Sequence, residues 1–228
     1  MYFCMIYSRL IISLIFFFNL YNDRCYDKIE NLNLTITSSI FEENKAQNGG
    51  AIYFNEGISD ENNNNNSIII KDTIFKNNVV DYFGGAIYSD FEGLSITNIE
   101  NVEFISNKAY SGGAVYTSNN KNKTLFDVYN KNINYIDNIA ESHGNDYATN
   151  PYMINLINKN VRNIVIKSGS TFSLEFDLKD QFNQYVNDIS KYYSNIGLET
   201  YITNDNINQT DYAMLKNTCY FYRGISFL

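Results

Sequence analysis

Tryptophan is absent from this 228-residue chain, and it has one proline, one histidine and three cysteines. Each shortage excludes something. A lone His143, with no Cys-x-x-Cys spacing anywhere, offers no zinc-holding set, and a single histidine without a matched acid or cysteine reads as a surface or capping residue rather than a base. Cys4 and Cys25 lie near one end and Cys219 near the other, so one disulfide, Cys25–Cys219, is conceivable only if Cys25 survives removal of the leader. That rules out a disulfide-stapled mini-scaffold. An unpaired Cys219 in an oxidising compartment would instead suit a piece of a longer protein. Basic residues are outnumbered 17 to 25, the net charge is −8, and no Lys/Arg cluster occurs, which argues against a nucleic-acid partner. Gly-x-Ser-x-Gly and phosphate-loop motifs are missing as well.

Long apolar runs are also scarce. The one that exists, Leu10 to Phe18 behind Arg9, has the length of a signal-peptide core and is too short to span a bilayer alone. Residues 1–25 are therefore expected to be a signal peptide, cut between Leu20 and Tyr26, or an uncleaved signal anchor that ties the chain to a membrane. Four Asn-x-Ser/Thr sequons follow, at Asn33, Asn65, Asn122 and Asn208, as expected of a glycoprotein on a secretory route. Asn itself is abundant, at 37 of 228 residues, and sequons also arise by chance in such a chain.

What is present is a repeat. Phe41-Glu-Glu-Asn44 precedes Gly49-Gly50-Ala-Ile52-Tyr53, Phe75-Lys-Asn-Asn78 precedes Gly84-Gly85-Ala-Ile87-Tyr88, and Phe104-Ile-Ser-Asn107 precedes Gly112-Gly113-Ala-Val115-Tyr116. A worn fourth copy runs from Tyr135 and Asn138 to Gly144-Asn-Asp-Tyr147. A period of about 30 residues marks one supersecondary unit stacked on its neighbours. Stretches such as Ser67 to Phe75 and Leu94 to Phe104 alternate with period two and are rich in β-branched residues, so the units are strands rather than helices.

Three short strands per repeat close one coil of a parallel β-helix. Stacked coils align equivalent side chains about 4.8 Å apart. Phe41, Phe75, Phe104 and Tyr135 are then expected to form an aromatic stack, and Ile52, Ile87 and Val115 an aliphatic one. Asn44, Asn78, Asn107 and Asn138 are expected to form an amide ladder at a corner. Tyr53, Tyr88 and Tyr116 form a further column, read chiefly as stacking between coils and alternatively as an outward aromatic strip for glycans or proteins.

The ordered pair Phe-x-x-Asn and Gly-Gly-Ala-Ile resembles the signature of polymorphic outer membrane protein repeats, which also occur in large eukaryotic surface and transmembrane proteins. The resemblance covers about residues 31 to 150. It implies a right-handed parallel β-helix of three to four coils, on the cell surface or secreted, with a part in adhesion. The chain shows no C-terminal barrel region of the kind such proteins use for anchoring.

After Asn150 and Pro151 the repeat stops. The stretch from Val161 to Phe182 alternates with a turn at Ser168-Gly169, Asp180 to Tyr185 reads as a turn, and Leu198 to Thr203 as another strand. Ile189 to Ile196 fits a short helix equally well. The domain expectation is thus 1–25 targeting segment, 26–150 parallel β-helix, and 151–228 a partial immunoglobulin-like β-sandwich with fewer than the roughly seven strands such a fold needs.

Catalysis has its own requirement. A β-helix that cleaves acidic polysaccharides needs carboxylates converging across neighbouring coils. Aligned on the Phe positions, Ser38, Asp72, Asn101 and Asn132 form one column and Ile40, Ile74, Glu103 and Asn134 another, and neither collects acids. The sequence therefore predicts a non-enzymatic structural or adhesive module with no cofactor or metal. It would offer the loops Asn55 to Ser67 and Ser118 to Lys123 to cell-surface proteins or glycans. A carbohydrate-active β-helix enzyme and a fragment of a larger membrane-anchored surface protein are the alternatives.

Overall fold

A computed structural model describes residues 9–13, 33–54, 67–90, 98–118, 132–157, 175–190, 192–193 and 225–227. The chain divides into two compact units, residues 1–150 and 151–228.

In the first unit every strand pairs in parallel with the equivalent strand of the next repeat. Three sheets result. The first has β1 (Arg9–Ser13), β2 (Asn33–Thr37), β6 (Ser67–Lys76), β9 (Asn98–Ile105) and β12 (Ile133–Ile136) in that order, with β3 (Ile40–Glu42) also beside β6. The second holds β4 (Lys45–Asn48), β7 (Val79–Phe83), β10 (Lys108–Ser111) and β13 (Ile139–His143). The third holds β5 (Ile52–Phe54), β8 (Ile87–Ser89), β11 (Val115–Thr117) and β14 (Tyr147–Thr149). Four coils of a parallel β-helix are thus complete, the worn fourth copy included. Arg9–Ser13, from the apolar stretch expected to act as a leader, adds one more strand beside β2.

Left-handed positions explain some of the Asn and Asp content. Each coil has three: one within or at the edge of the first sheet, Ser38, Asp72, Asn101 and Asn132 (φ 48–51°), and two at corners, Glu43, Asn77, Ser106 and Asp137 (φ 51–57°) and Gly49, Gly84, Gly112 and Gly144 (φ 56–67°). Asn and Asp enter that region more readily than other side chains, and Gly enters it without penalty. The second-sheet segments differ by a residue in length, and β-bulges absorb the difference: Val80 aligns with Ala46 but Phe83 with Asn48, and His143 aligns with Ser111.

The interior is largely apolar. Leu34, Ile36, Phe41, Ile52, Ile68, Ile70, Phe75, Ile87, Ile99, Val102, Phe104 and Val115 are all at most 2% exposed. Outside, Lys76–Glu42 (2.9 Å) and Lys71–Glu100 (2.6 Å) pair neighbouring coils through half-exposed groups, which favours this register but adds little stability.

The second unit is an antiparallel sheet, β15 (Pro151–Leu156), β16 (Glu175–Asp180) and β17 (Ile225–Phe227). The sequence reading had no strand at Pro151. Proline is tolerated there because it is the first residue of a strand at the sheet edge. The turn after β16 is held by the Asp180 carboxylate, which accepts from the backbone N–H of Phe182 and of Gln184, both at 2.9 Å. Leu178 and Val186 form a small core with Phe176 and Tyr193 against it. Residues 189–190 and 192–193 are turns, and no helix occurs among the described residues. The turn expected at Ser168-Gly169 and the strand at Leu198 to Thr203 lie outside the described residues.

Candidate functional site

The repeated phrase builds a set of columns through the first unit. Phe41, Phe75, Phe104 and Tyr135 stack face to face with centroids 5.1, 5.0 and 5.1 Å apart and ring planes 10° from parallel. Ile52, Ile87 and Val115 line the adjoining interior column, each 1% exposed, and Tyr147 takes that place in the fourth coil.

The Asn column is a closed hydrogen-bond system. Each Nδ2 donates to Oδ1 of the next coil: Asn44 to Asn78 at 2.8 Å, Asn78 to Asn107 at 2.9 Å and Asn107 to Asn138 at 3.0 Å. The same Oδ1 also accepts the backbone N–H of the Asn below, at 3.0–3.1 Å. The remaining amide proton reaches a Phe carbonyl one coil back, from Asn78 to Phe41, Asn107 to Phe75 and Asn138 to Phe104. Aspartate, lacking the two donors, and shorter serine cannot supply this pattern, so asparagine is demanded by hydrogen-bond inventory.

The second glycine of each pair is a steric requirement. A Cβ on Gly50 would lie 2.3 Å from the Gly85 carbonyl oxygen, one on Gly85 2.0 Å from that of Gly113, and one on Gly113 2.1 Å from that of Asn145. The fourth coil carries Asn145 at this place, exposed, with its Oδ1 accepting the Ala140 N–H at 3.0 Å. Next to it Asp146 accepts from Asn138 Nδ2 at 3.2 Å. The worn copy is therefore an end cap, with side chains that close the ladder where the other coils leave room for a successor.

Outer groups were candidates for chemistry. Tyr53 and Tyr88 stack at 4.8 Å and Tyr88 and Tyr116 at 5.9 Å, while Phe83 lies over Tyr116 at 4.5 Å. Rings that face one another along the solenoid turn their edges outward. Tyr53 and Tyr88 are half-buried and Tyr116 is 1% exposed, so the column works as packing between coils. Tyr116 donates to Asn150 Oδ1 at 2.6 Å, and Tyr88 donates to Asp90 Oδ1 at 2.6 Å, which also accepts from Ser118. Burial, then the Asp90 hydrogen bond and charge, pushes the Tyr88 hydroxyl well above the ordinary tyrosine range. Burial, with Tyr147 and Asp146 nearby, does the same for Tyr135.

His143, read from the sequence as a surface or capping residue, is 5% exposed. Its Nε2–H donates to the Thr149 carbonyl at 2.9 Å, which leaves Nδ1 to accept from the hydroxyls of Ser111 (3.2 Å) and Ser142 (3.0 Å). Ser111 is fully buried, so this Ser–His contact is a structural tie between coils, closed to any substrate.

Of the two columns tested for acids, Ser38, Asp72, Asn101 and Asn132 are exposed and polar, while the other mixes half-buried Ile40, Ile74 and Glu103 with exposed Asn134. Asn101 Nδ2 donates to Asp72 Oδ1 at 3.0 Å, and Asn132 Nδ2 to Asn101 Oδ1 at 3.1 Å. Among the described residues no three His, Cys, Asp or Glu side chains gather in a metal-holding group. Of the sequons, Asn33 opens β2, whereas Asn65, Asn122 and Asn208 lie outside the described residues.

With this geometry in hand, family comparison is direct: residues 38–55, 72–90 and 101–118 each match the Chlamydia polymorphic membrane protein repeat. The chain carries polymorphic membrane protein-type repeats. Each matched stretch begins at or beside the first left-handed residue of its coil and ends just beyond the third-sheet strand. The fourth coil lies outside the match, consistent with its cap residues. No curated protein and no solved structure matched the chain.

Proposed function

We propose that the chain is a non-enzymatic surface or secreted module in which a rigid β-helix presents loops to a protein or glycan outside the cell. The observation that carries this reading is where the chain varies. Two corners of every coil are held at nearly constant length by the Asn ladder and the glycine pair. The connections after β5, β8 and β11, residues 55–66, 90–97 and 118–132, all leave from the third corner, between the third sheet and the first. Solenoids that bind partners commonly gather their insertions on one side in this way. Two sequons, Asn65 and Asn122, fall in these connections, which suits an exposed, glycosylated edge. The polymorphic membrane protein-type repeat supports a surface location, and stacked hydrogen-bonded columns support a passive, load-tolerant role.

The test replaces residues 55–66 and 119–131 by short Gly-Ser linkers in a C-terminally tagged chain. Circular dichroism and the urea midpoint should stay near the parent values, while binding to cells and to a glycan array is lost. Binding that survives both replacements would refute presentation by these loops. Cleavage of an acidic polysaccharide by the parent chain would replace this reading with a carbohydrate-active one.

A further inference from the structure

The sheet of the second unit brings together three groups that loop presentation does not use. β15 and β16 run antiparallel, with Asn155 opposite Asp177 and Met153 opposite Lys179. Residues two apart on a strand share a face, so Asp177 and Lys179 stand side by side, on the opposite face from Leu178 and the small core. Asn155 is then the diagonal neighbour of Lys179. Such neighbours lie roughly 7–8 Å apart, within reach of a long side chain. The Asp177 carboxylate touches both. Its Oδ1 accepts from Asn155 Nδ2 at 2.9 Å, and its Oδ2 lies 3.9 Å from Lys179 Nζ.

As an ion pair this is a poor arrangement. The side chains are nearly buried, 14% exposed for Lys179 and 9% for Asp177, yet Nζ stands too far from the carboxylate to hydrogen-bond to it. A buried pair recovers its desolvation cost only through close, hydrogen-bonded contact. The other contact that holds Nζ is the ring of Tyr185, 4.5 Å to the centroid.

As a reaction centre the same arrangement is well ordered. Strand pairing holds an amine, an amide and a carboxylate together, and the carboxylate already grips the nitrogen that an attack on the amide would expel. Fixed proximity of this kind replaces a very slow bimolecular reaction by an intramolecular one, and a desolvated lysine is a competent nucleophile. We propose that Lys179 and Asn155 join in an intramolecular isopeptide bond, with Asp177 as its acid–base catalyst. Lys179 Nζ gives one proton to Asp177 and attacks Cγ of Asn155. Asp177 then passes that proton to Nδ2, takes a second from Nζ and hands it to the departing ammonia. The Nζ–Cγ bond forms, the Cγ–Nδ2 bond breaks, and the nitrogen leaves as ammonium. The balance needs no oxidant, reductant or further reactant. Cys219 is the one cysteine in residues 151–228, so no disulfide can form within this unit, and the isopeptide bond gives it a covalent tie between β15 and β16. The proposal stands independently of loop presentation, which concerns the first unit alone.

The experiment digests the purified full chain with trypsin and reads the peptides by mass spectrometry. The expected product is a branched peptide that joins the stretch around Asn155 to one left uncleaved after Lys179, lighter by one ammonia than the two together. Lys179→Arg should return linear peptides at full mass. Asp177→Ala, with its fold checked by circular dichroism, should lower the linked fraction about tenfold or more. Linear peptides cut after Lys179 in the parent chain would overturn the proposal, a result that needs no variant to fold. So would an ammonia loss that persists in Lys179→Arg, the mark of an asparagine cyclised on its own backbone. Undiminished linkage in Asp177→Ala would overturn the catalytic assignment.

Discussion

Asn107 is the rung whose loss should be felt most clearly. It joins three coils: it donates to the Phe75 carbonyl at 2.9 Å and to Asn138 Oδ1 at 3.0 Å, and it accepts from Asn78 Nδ2 at 2.9 Å and Asn78 N–H at 3.1 Å. Asn107→Ala leaves one Asn78 amide proton and the Asn78 backbone N–H without their acceptor and takes one donor from the Phe75 carbonyl, a paired strand residue, while Asn138 Oδ1 keeps the residue-107 backbone N–H. Two orphaned donors at about 1–3 kcal/mol each give roughly 2–6 kcal/mol, and water entering the small gap brings the figure toward 2. That is a large share of a domain total near 5–15 kcal/mol. Asn107→Asp separates hydrogen bonding from shape, because its oxygen in the Nδ2 position faces the Phe75 carbonyl and Asn138 Oδ1. The folded chain then favours the protonated acid, so the carboxyl pKa is raised above its unfolded value near 4. Its penalty is smallest below about pH 4 and grows as pH rises. Urea unfolding followed by circular dichroism at acid and neutral pH checks both points. An Asn107→Ala loss under about 1 kcal/mol, or an Asn107→Asp penalty that does not grow between acid and neutral pH, would refute the ladder argument.

Other outcomes follow from the same columns. Gly85→Ala places a Cβ 2.0 Å from the Gly113 oxygen and should cost about 3 kcal/mol or more, whereas Asn145→Ala loses only the bond to the Ala140 N–H and should cost under about 1 kcal/mol; paired thermal melts compare them. Phe75→Ala, in the middle of the aromatic stack and fully buried, should cost about 3–5 kcal/mol by urea titration. Tyr88 and Tyr135 resist ionisation in the folded chain, so the stability they contribute is complete below pH 10 and falls as pH rises beyond it; Tyr135→Phe should flatten that fall in midpoints measured from about pH 8 to 12. Lys71→Ala removes a half-exposed ion pair and should shift stability by no more than about 0.5 kcal/mol.

Much of the β-helix was legible because a parallel stack translates sequence period into spatial column. Phe41, Phe75 and Phe104 share a repeat position, so stacking coils brings them together whatever the loops between them do. Asn44, Asn78, Asn107 and Asn138 were legible for the same reason. His143 was not: its burial depends on the bulge that aligns it with Ser111 and on the Thr149 carbonyl, two features with no local sequence signal. Nor was the meaning of Asn77, Asp72 or Asp137, which from sequence alone are three more polar residues in an Asn-rich chain and in the structure hold positive φ, Asn77 and Asp137 at a corner and Asp72 within β6. Phe83 stands where the neighbouring coils have Asn48 and Ser111, so no repeat position announces it, and a one-residue bulge precedes its contact with Tyr116.

The sequence by itself determined the coil: its length, its strands, and the residue types of its stacked columns, because each follows from a short phrase repeated at a near-constant interval. Tertiary structure decided the ends. Gly144-Asn-Asp reads as a decayed Gly-Gly-Ala until the structure shows that, with no further coil stacked there among the described residues, Asn145 and Asp146 have hydrogen bonds that the glycines of the earlier repeats leave no room for. Asn44 reads as an ordinary rung until its buried Oδ1, with no hydrogen-bond partner among the described residues, marks it as the near end of the ladder. Periodicity specifies what every repeat shares, and a chain end is the one place where a residue answers to a neighbour that the pattern does not supply.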